Sequence, residues 1–326
     1  MPEITPTEKV IEDAVAAACR APSLHNSQPW QWVLSRAELR LFLDPSRVMA
    51  TDEKAREAII SCGAALDHLR VAMAAAGWEA HIDRSPNSEN PNHLATLTFS
   101  SLAYVTERDQ LRATAIWSRH TDRLPFSGVA DWGAFQSIVG NRGDTQTVHL
   151  DVVAEELQPQ LARAAELADS LRSYNTVYND ELHWWTAPFE SSEGIPYSAL
   201  VSETEGHRVG IGRAFPFFNR VERRVEIPED HAKILILSTD KDERADALAS
   251  GEALSAVLLE CTMAGLATCP VTHLTEVHVA RELVQSLTGH DTFPQILIRV
   301  GLVPVTEKVA PPTPRRRLSD VLRAQR

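Results

Sequence analysis

The chain has 326 residues, 44% of them hydrophobic and 23% charged, with a formal net charge of −12 and four cysteines. That length buries a sizeable core in one large domain or two ordinary ones. The acidic balance argues against a general nucleic-acid binder, which carries a basic stripe, and so few cysteines make no disulfide scaffold.

The opening, MPEITPTEKVIEDA, lacks the basic and apolar regions of a signal peptide. No apolar run reads as approaching the ~20 residues of a membrane span. The expectation is a reduced, cytoplasmic protein that engages neither membrane nor nucleic acid. Cys19, Cys62 and Cys261 fall in helix-like apolar patterns and read as small buried thiols. The histidines form no HExxH, and no Cys/His set has zinc spacing, so no metal is expected.

In chain order, an alanine-rich helix stops at Pro22, leaving Ser23, His25 and Asn26 on a polar turn. WQWVLSRAELRLFLD (30–44) alternates as a hairpin. Next comes an alanine-rich segment running from Gly63 to Gly77, apolar on more than one helical face, then a strand at 93–100. A boundary falls near residue 108, before the helical ERDQLRATAIW. TVHLDVVA (147–154) and KILILST (233–239) read as strands. The stretch 180–230 has no clean period. Its Trp184, Trp185, Phe189, Phe215, Phe217 and Phe218 suit a lid or binding segment better than a disordered one.

A second alanine-rich segment, Gly251 to Gly265, repeats the glycine spacing of the first and is likewise followed by a strand, QILIRVGL (295–302). Gly77 and Gly265 read as C-terminal helix caps. The repetition favours an internal duplication over a chance match.

The polar turn belongs to the string PSLHNSQPW. Its Ser, Asn and Gln offer neutral donors and acceptors suited to the edge of a heteroaromatic ring, beside Trp30 and Trp32. A plain helix-to-strand connection would satisfy the same residues.

This string resembles the Ser-x-x-Asn-Ser-Gln-Pro-Trp signature of the FMN-dependent nitroreductases. SRHTDRLPF (118–126) resembles that family's Arg-His-Ser/Thr string. GLATCPVTH (265–273) resembles its segment beside the flavin N5, and QILIRVG with PPTPRRRL its last strand and C-terminal basic pair. The two signatures sit in different halves, and GNRGDTQ stands where the second half should carry its own polar string. With DPSR (44–47), REAIISCGAAL (56–66) and the aromatic segment, this is similar to the dormancy-associated Acg subgroup of actinobacterial nitroreductase-like proteins.

The resemblance implies an α+β, nitroreductase-like fold, duplicated within a single chain that mimics the family's dimer. Its halves are 1–108 and 109–326, with central helices at 61–77 and 251–265 and a lid insertion near 180–218. One FMN site survives between them, in a monomer acting as a fused dimer. The cofactor-binding candidates from the first half are Pro22, Ser23, His25, Asn26 and Gln28, with Gln28 and Trp30 chiefly structural. From the second half come Arg119, His120, Thr121 and Arg123, then Pro270, Thr272 and His273, then Arg315 and Arg316. Guanidinium groups hold phosphate, and a cation near N1 stabilises reduced flavin. Thr272-His273 departs from the family's Glu-Gly. No catalytic side chain is assigned, because the cofactor carries the chemistry.

The implied activity is NAD(P)H-dependent reduction of nitroaromatic or quinone-like acceptors by ping-pong hydride transfer. One alternative is an FMN storage protein whose lid occludes the flavin. Another is an interaction module with a decayed site.

Overall fold

The computed structural model describes residues 5–35, 38–52, 54–143, 147–186, 192–216, 221–305, 307 and 311–325. Phe189, Phe217, Phe218 and the 144–146 part of GNRGDTQ lie outside them.

The chain runs α1 (Glu8–Ala18), β1 (Trp30–Ser35), β2 (Glu38–Leu43), α2 (Arg56–Ala75), β3 (Trp78–Arg84), β4 (His93–Ser101) and α3 (Glu107–Ser118). It continues with α4 (Trp132–Gly143), β5 (Val148–Val152), α5 (Gln158–Ser173), α6 (Thr176–Trp185), α7 (Glu203–Arg208) and β6 (Lys233–Thr239). Then follow α8 (Arg244–Met263), β7 (Ala267–Val271), α9 (His278–Thr288), β8 (Phe293–Gly301), α10 (Leu318–Val321) and β9 (Leu322–Gln325).

Both halves use one order: helix, two strands, long central helix, two strands. The sheets agree. One is ordered β3-β4-β2-β1-β9 and the other β7-β8-β6-β5, so the first four strands of each correspond in place. The second half differs by α5–α7 between β5 and β6, and by α9 between β7 and β8. The C-terminal β9 crosses back to pair parallel with β1, Trp32 opposite Leu322. The tail of the second half is thereby fastened to the first.

The central helices α2 and α8 are apolar on nearly every face because they are surrounded. Ile59, Leu66 and Leu69 of α2 and Val257 and Leu258 of α8 are fully buried, in one cluster with Trp30 and Trp32 of β1 and Leu235 and Ile298 of the other sheet. The two helices touch at Gly63 and Gly251. A Cβ on either would overlap backbone of the opposite helix, at Leu248 or Ile60. Close by, Ser255 donates to Asp67, 188 residues away, the separation that also relates the two glycines. Equivalent positions of the halves therefore face each other across this crossing.

Both helices begin earlier than the alanine pattern indicated, at Arg56 and Arg244, because their first turns are polar and break it. Gly77 and Gly265 follow their ends with φ of +87° and +73°. At 20 residues, α2 is long and apolar enough to cross a membrane by length and composition. That corrects the expectation that no run approaches such a length, and the helix lies in the core.

Candidate functional site

The polar turn after α1 is built under backbone strain. His25, Asn26 and Gln28 have φ of +49°, +60° and +52°, a region that side chains other than Gly enter only where the surroundings hold them. Six hydrogen bonds do so. The Leu24 N–H donates to Ser61 Oγ (3.2 Å) and the Gln28 N–H to Ser23 Oγ (3.0 Å). The Asn26 amide donates to the carbonyls of Gly194 (3.0 Å) and Pro314 (3.2 Å). Gln28 donates to Ser192 O (2.8 Å) and accepts from the Arg316 N–H (2.8 Å).

This turn forms one wall of a cavity of about 430 Å³ between the halves. Pro22, Ser23 and His25 line it from the first half, with Glu57, Ile60 and Ser61 of α2. Thr121, Arg123, Pro270, Thr272 and His273 line it from the second. Glu166 and Asp169 of α5, His207 of α7 and residues 212–215 complete it. Eight of the fourteen sequence-derived candidates thus share one cavity. Asn26 and Gln28 sit behind the wall and hold it, as do the Arg316 contacts to Gln28 O (3.2 Å) and Asp320 O (3.0 Å). His120 turns back to donate to Ser118 O (3.2 Å).

Arg119 and Arg315 meet elsewhere, at the carboxyl end of α1, together with Arg20. Arg315 donates to the carbonyls of Cys19 (2.7 Å), Arg20 (3.1 Å) and Ala21 (3.2 Å), and Arg119 donates to Arg20 O (3.2 Å). Arg20 donates to Thr313 O (3.0 Å). Among the described residues no carboxylate pairs with any of the three, and Arg119 Nε and Nη1 are buried without a partner. Burial and then the Arg20 charge push the Arg119 guanidinium down to about 10. Burial, Arg20 and Arg119 push Arg315 well below its ordinary value. Such a cluster suits an anion. The cavity lies alongside, since Pro22 and Ser23 follow Arg20 and Thr121 follows Arg119.

Inside the cavity the charges are arranged differently. Arg213 ion-pairs with Glu276 and donates to Thr272 Oγ1 (3.1 Å) and Tyr178 OH (2.8 Å). Burial opposes ionisation of Glu276, but Arg213, Thr272 and Arg172 outweigh it and hold the carboxyl well below its usual range. Arg299 pairs with Asp230 at 2.8 Å. The Arg123 guanidinium lies 5.3 Å from the centroid of the Phe215 ring, and His25 meets the same ring edge-on at 6.2 Å. Burial and then Arg213 lower the His25 ring well below its ordinary value and bring His273 down to about 3. Burial raises Glu57 well above the usual range, against the neighbouring Arg56, and raises Asp169 to about 6.

The segment between β5 and β6 is fastened over the first half. Glu181 of α6 accepts from the Ala50 N–H (2.7 Å) and Thr51 Oγ1 (2.6 Å), and Glu193 pairs with Arg47. The sequence reading missed Arg20, Glu57, Arg213 and Glu276 as site residues. Arg20 stands two residues before the polar string and could have been found there. Glu57 lies in REAIISCGAAL and Arg213 in the 180–230 stretch, both singled out in the sequence but not for these side chains, and they meet Glu276 only through the fold.

Comparison with known proteins gives the family and the fold. The family model for the nitroreductase family matches residues 139–302. The "Putative NAD(P)H nitroreductase acg" of Mycobacterium tuberculosis H37Rv is 52% identical over 322 residues, covering 98% of this chain and 97% of its own. "Uncharacterized protein Rv3127" of the same strain is 47% identical over 318 residues, covering 96% of this chain and 92% of its own. The crystal structure of a "putative nitroreductase" from Anabaena variabilis ATCC 29413 superposes with a TM-score of 0.50 at 8% identity, covering 90% of this chain and 73% of that one. At that identity the likeness concerns the fold alone.

Proposed function

Because the chain belongs to the nitroreductase family, we propose that it is an FMN-dependent oxidoreductase of that type, moving electrons from NAD(P)H to nitroaromatic or quinone-like acceptors in a ping-pong cycle. Bound FMN supplies the two-electron chemistry. The observation that carries this reading is the cluster of Arg20, Arg119 and Arg315. A buried Arg119 with two unpartnered guanidinium nitrogens, flanked by the half-buried Arg20 and Arg315 beside a large cavity, fits a phosphate monoester joined to a ring.

In this reading Arg20, Arg119 and Arg315 hold the phosphate. Ser23 and Thr121 offer hydroxyls along the cavity, and Pro22 and Pro270 shape its walls. Arg123 is the cation toward the pyrimidine end, where it offsets negative charge on the reduced ring. The backbone at Thr272 and His273 faces the cofactor. Asn26, Gln28 and Arg316 fix the strained turn, and His120 stands at its margin. The halves 1–108 and 109–326 act as two subunits fused in one monomer, with one site and a lid near 180–218.

A second reading is supported by how firmly that segment is docked. Asn26, Gln28, Arg47 and Thr51 all grip it, and Arg213 ties it to Thr272. A lid so held favours a protein that stores FMN and turns over little. The visible spectrum under nitrogen, before and after adding NADPH, separates the two. Flavin bands that bleach within seconds support the oxidoreductase, and bands that persist support storage. A protein that takes up no FMN contradicts both.

A further inference from the structure

We infer, resting on this reading of the site, that the cavity selects an uncharged aromatic acceptor over its carboxylated counterpart, with the His273 ring donating the hydrogen bond to the acceptor's nitro or carbonyl oxygen. His273 is 1% exposed, lines the cavity and, among the described residues, has no hydrogen-bond partner at either ring nitrogen. Buried polar atoms in native proteins are nearly always paired, so two orphans on one ring facing a cavity call for a ligand. With its ring held neutral, His273 brings one N–H donor and one lone pair and no net charge. It can hydrogen-bond an oxygen without attracting an anion.

The charges around it point the same way. Of the three guanidiniums lining the cavity, Arg213 is committed to Glu276 and Arg299 to Asp230, and the proposed function assigns Arg123, stacked over Phe215, to the cofactor. Among the described residues, no cation lining the cavity is left for a carboxylate. Glu166 and Asp169, one turn apart on α5, line the same space with negative charge. An acceptor bearing its own carboxylate meets repulsion there, and a neutral one does not.

The test is calorimetric titration of the FMN-loaded protein, without reductant and at neutral pH, with 4-nitrobenzyl alcohol and with 4-nitrobenzoate. The alcohol is expected to bind tighter by about tenfold or more. His273→Ala is expected to weaken the alcohol about tenfold, and His273→Gln, which keeps an N–H donor, to recover most of that loss. The double variant Glu166→Gln, Asp169→Asn is expected to narrow the gap between the ligands. Equal or tighter binding of the benzoate, an alcohol affinity indifferent to His273→Ala, or binding of neither ligand overturns the inference. FMN content is read separately from the visible spectrum of each variant. No flavin in the wild-type protein overturns the cofactor reading itself. Flavin lost only in His273→Ala assigns the ring to the cofactor and overturns the inference.

Discussion

Arg20, Arg119 and Arg315 crowd three positive charges just beyond the end of α1, where Arg119 and Arg315 donate to the carbonyls of residues 19–21 and Arg20 to Thr313 O. Removing one charge should act in opposite directions on the empty and the loaded protein. Arg119→Ala is expected to weaken FMN by about 10- to 100-fold, the worth of a hydrogen bond to a charged group. Because it also relieves repulsion, it should leave the thermal midpoint of the flavin-free protein unchanged or higher. Flavin fluorescence titration and thermal melts read the two effects separately, and a flavin-free protein that melts much lower would mean that Arg119 serves structure instead.

Histidine gives the residue scale its pH dependence. His68, fully buried with Nδ1 at 2.8 Å from Ser255 Oγ, is lowered to about 3 by burial and then Arg119. Its folded value lies below its unfolded one, so the stability it contributes is present above about 6.5 and is lost as pH falls toward 3. His25 and His273 act with the same sign, while Asp169, raised to about 6, acts with the opposite one. The single histidine is isolated by comparison. Between pH 7 and 5, His68→Gln should lose less stability than wild type, by about 1 kcal/mol per pH unit. Parallel denaturation curves for the two proteins would contradict this.

At the scale of elements, the crossing of α2 and α8 depends on two missing side chains. Gly63→Ala drives a Cβ into Leu248 backbone and should cost about 3 kcal/mol or more, since neither helix can yield without moving its sheet. Gly133 of α4 meets nothing within 4 Å, and Gly133→Ala should be neutral or stabilising by up to about 1 kcal/mol. Urea denaturation of the pair checks the contrast, and equal losses would mean that the close crossing is not what the glycine serves.

These helices also show what could be read before folding. Their alanine-rich middles and capping glycines were legible, because burial on all sides leaves an unbroken apolar pattern. Their polar first turns were not, and those turns bring Glu57 to the cavity. β6 before α8 and β8 beyond it were legible as short β-type runs, whereas β7, directly after α8, was not read as a strand, and α5, α6 and α7 were hidden in sequence whose faces meet solvent as often as core. The polar turn was legible as a site through its resemblance. That Asn26 and Gln28 serve it from behind depends on carbonyls at 192, 194 and 314. No local pattern announces such partners.

For the whole molecule, the two halves share an order of elements, face each other at equivalent glycines, and are fastened by the C-terminal β9, which joins the sheet of the first half. The cavity draws lining residues from both, so neither half alone holds a complete site. The polar string occurs once, in the first half, and the Arg-His-Thr string once, in the second. A chain built this way has one set of walls to offer. The measurement that tests the account most directly is titration of the flavin-free protein with FMN, read by flavin fluorescence and absorbance. The account predicts saturation at one FMN per chain, with Arg119→Ala weakening it. No binding, or saturation at two per chain, would contradict it.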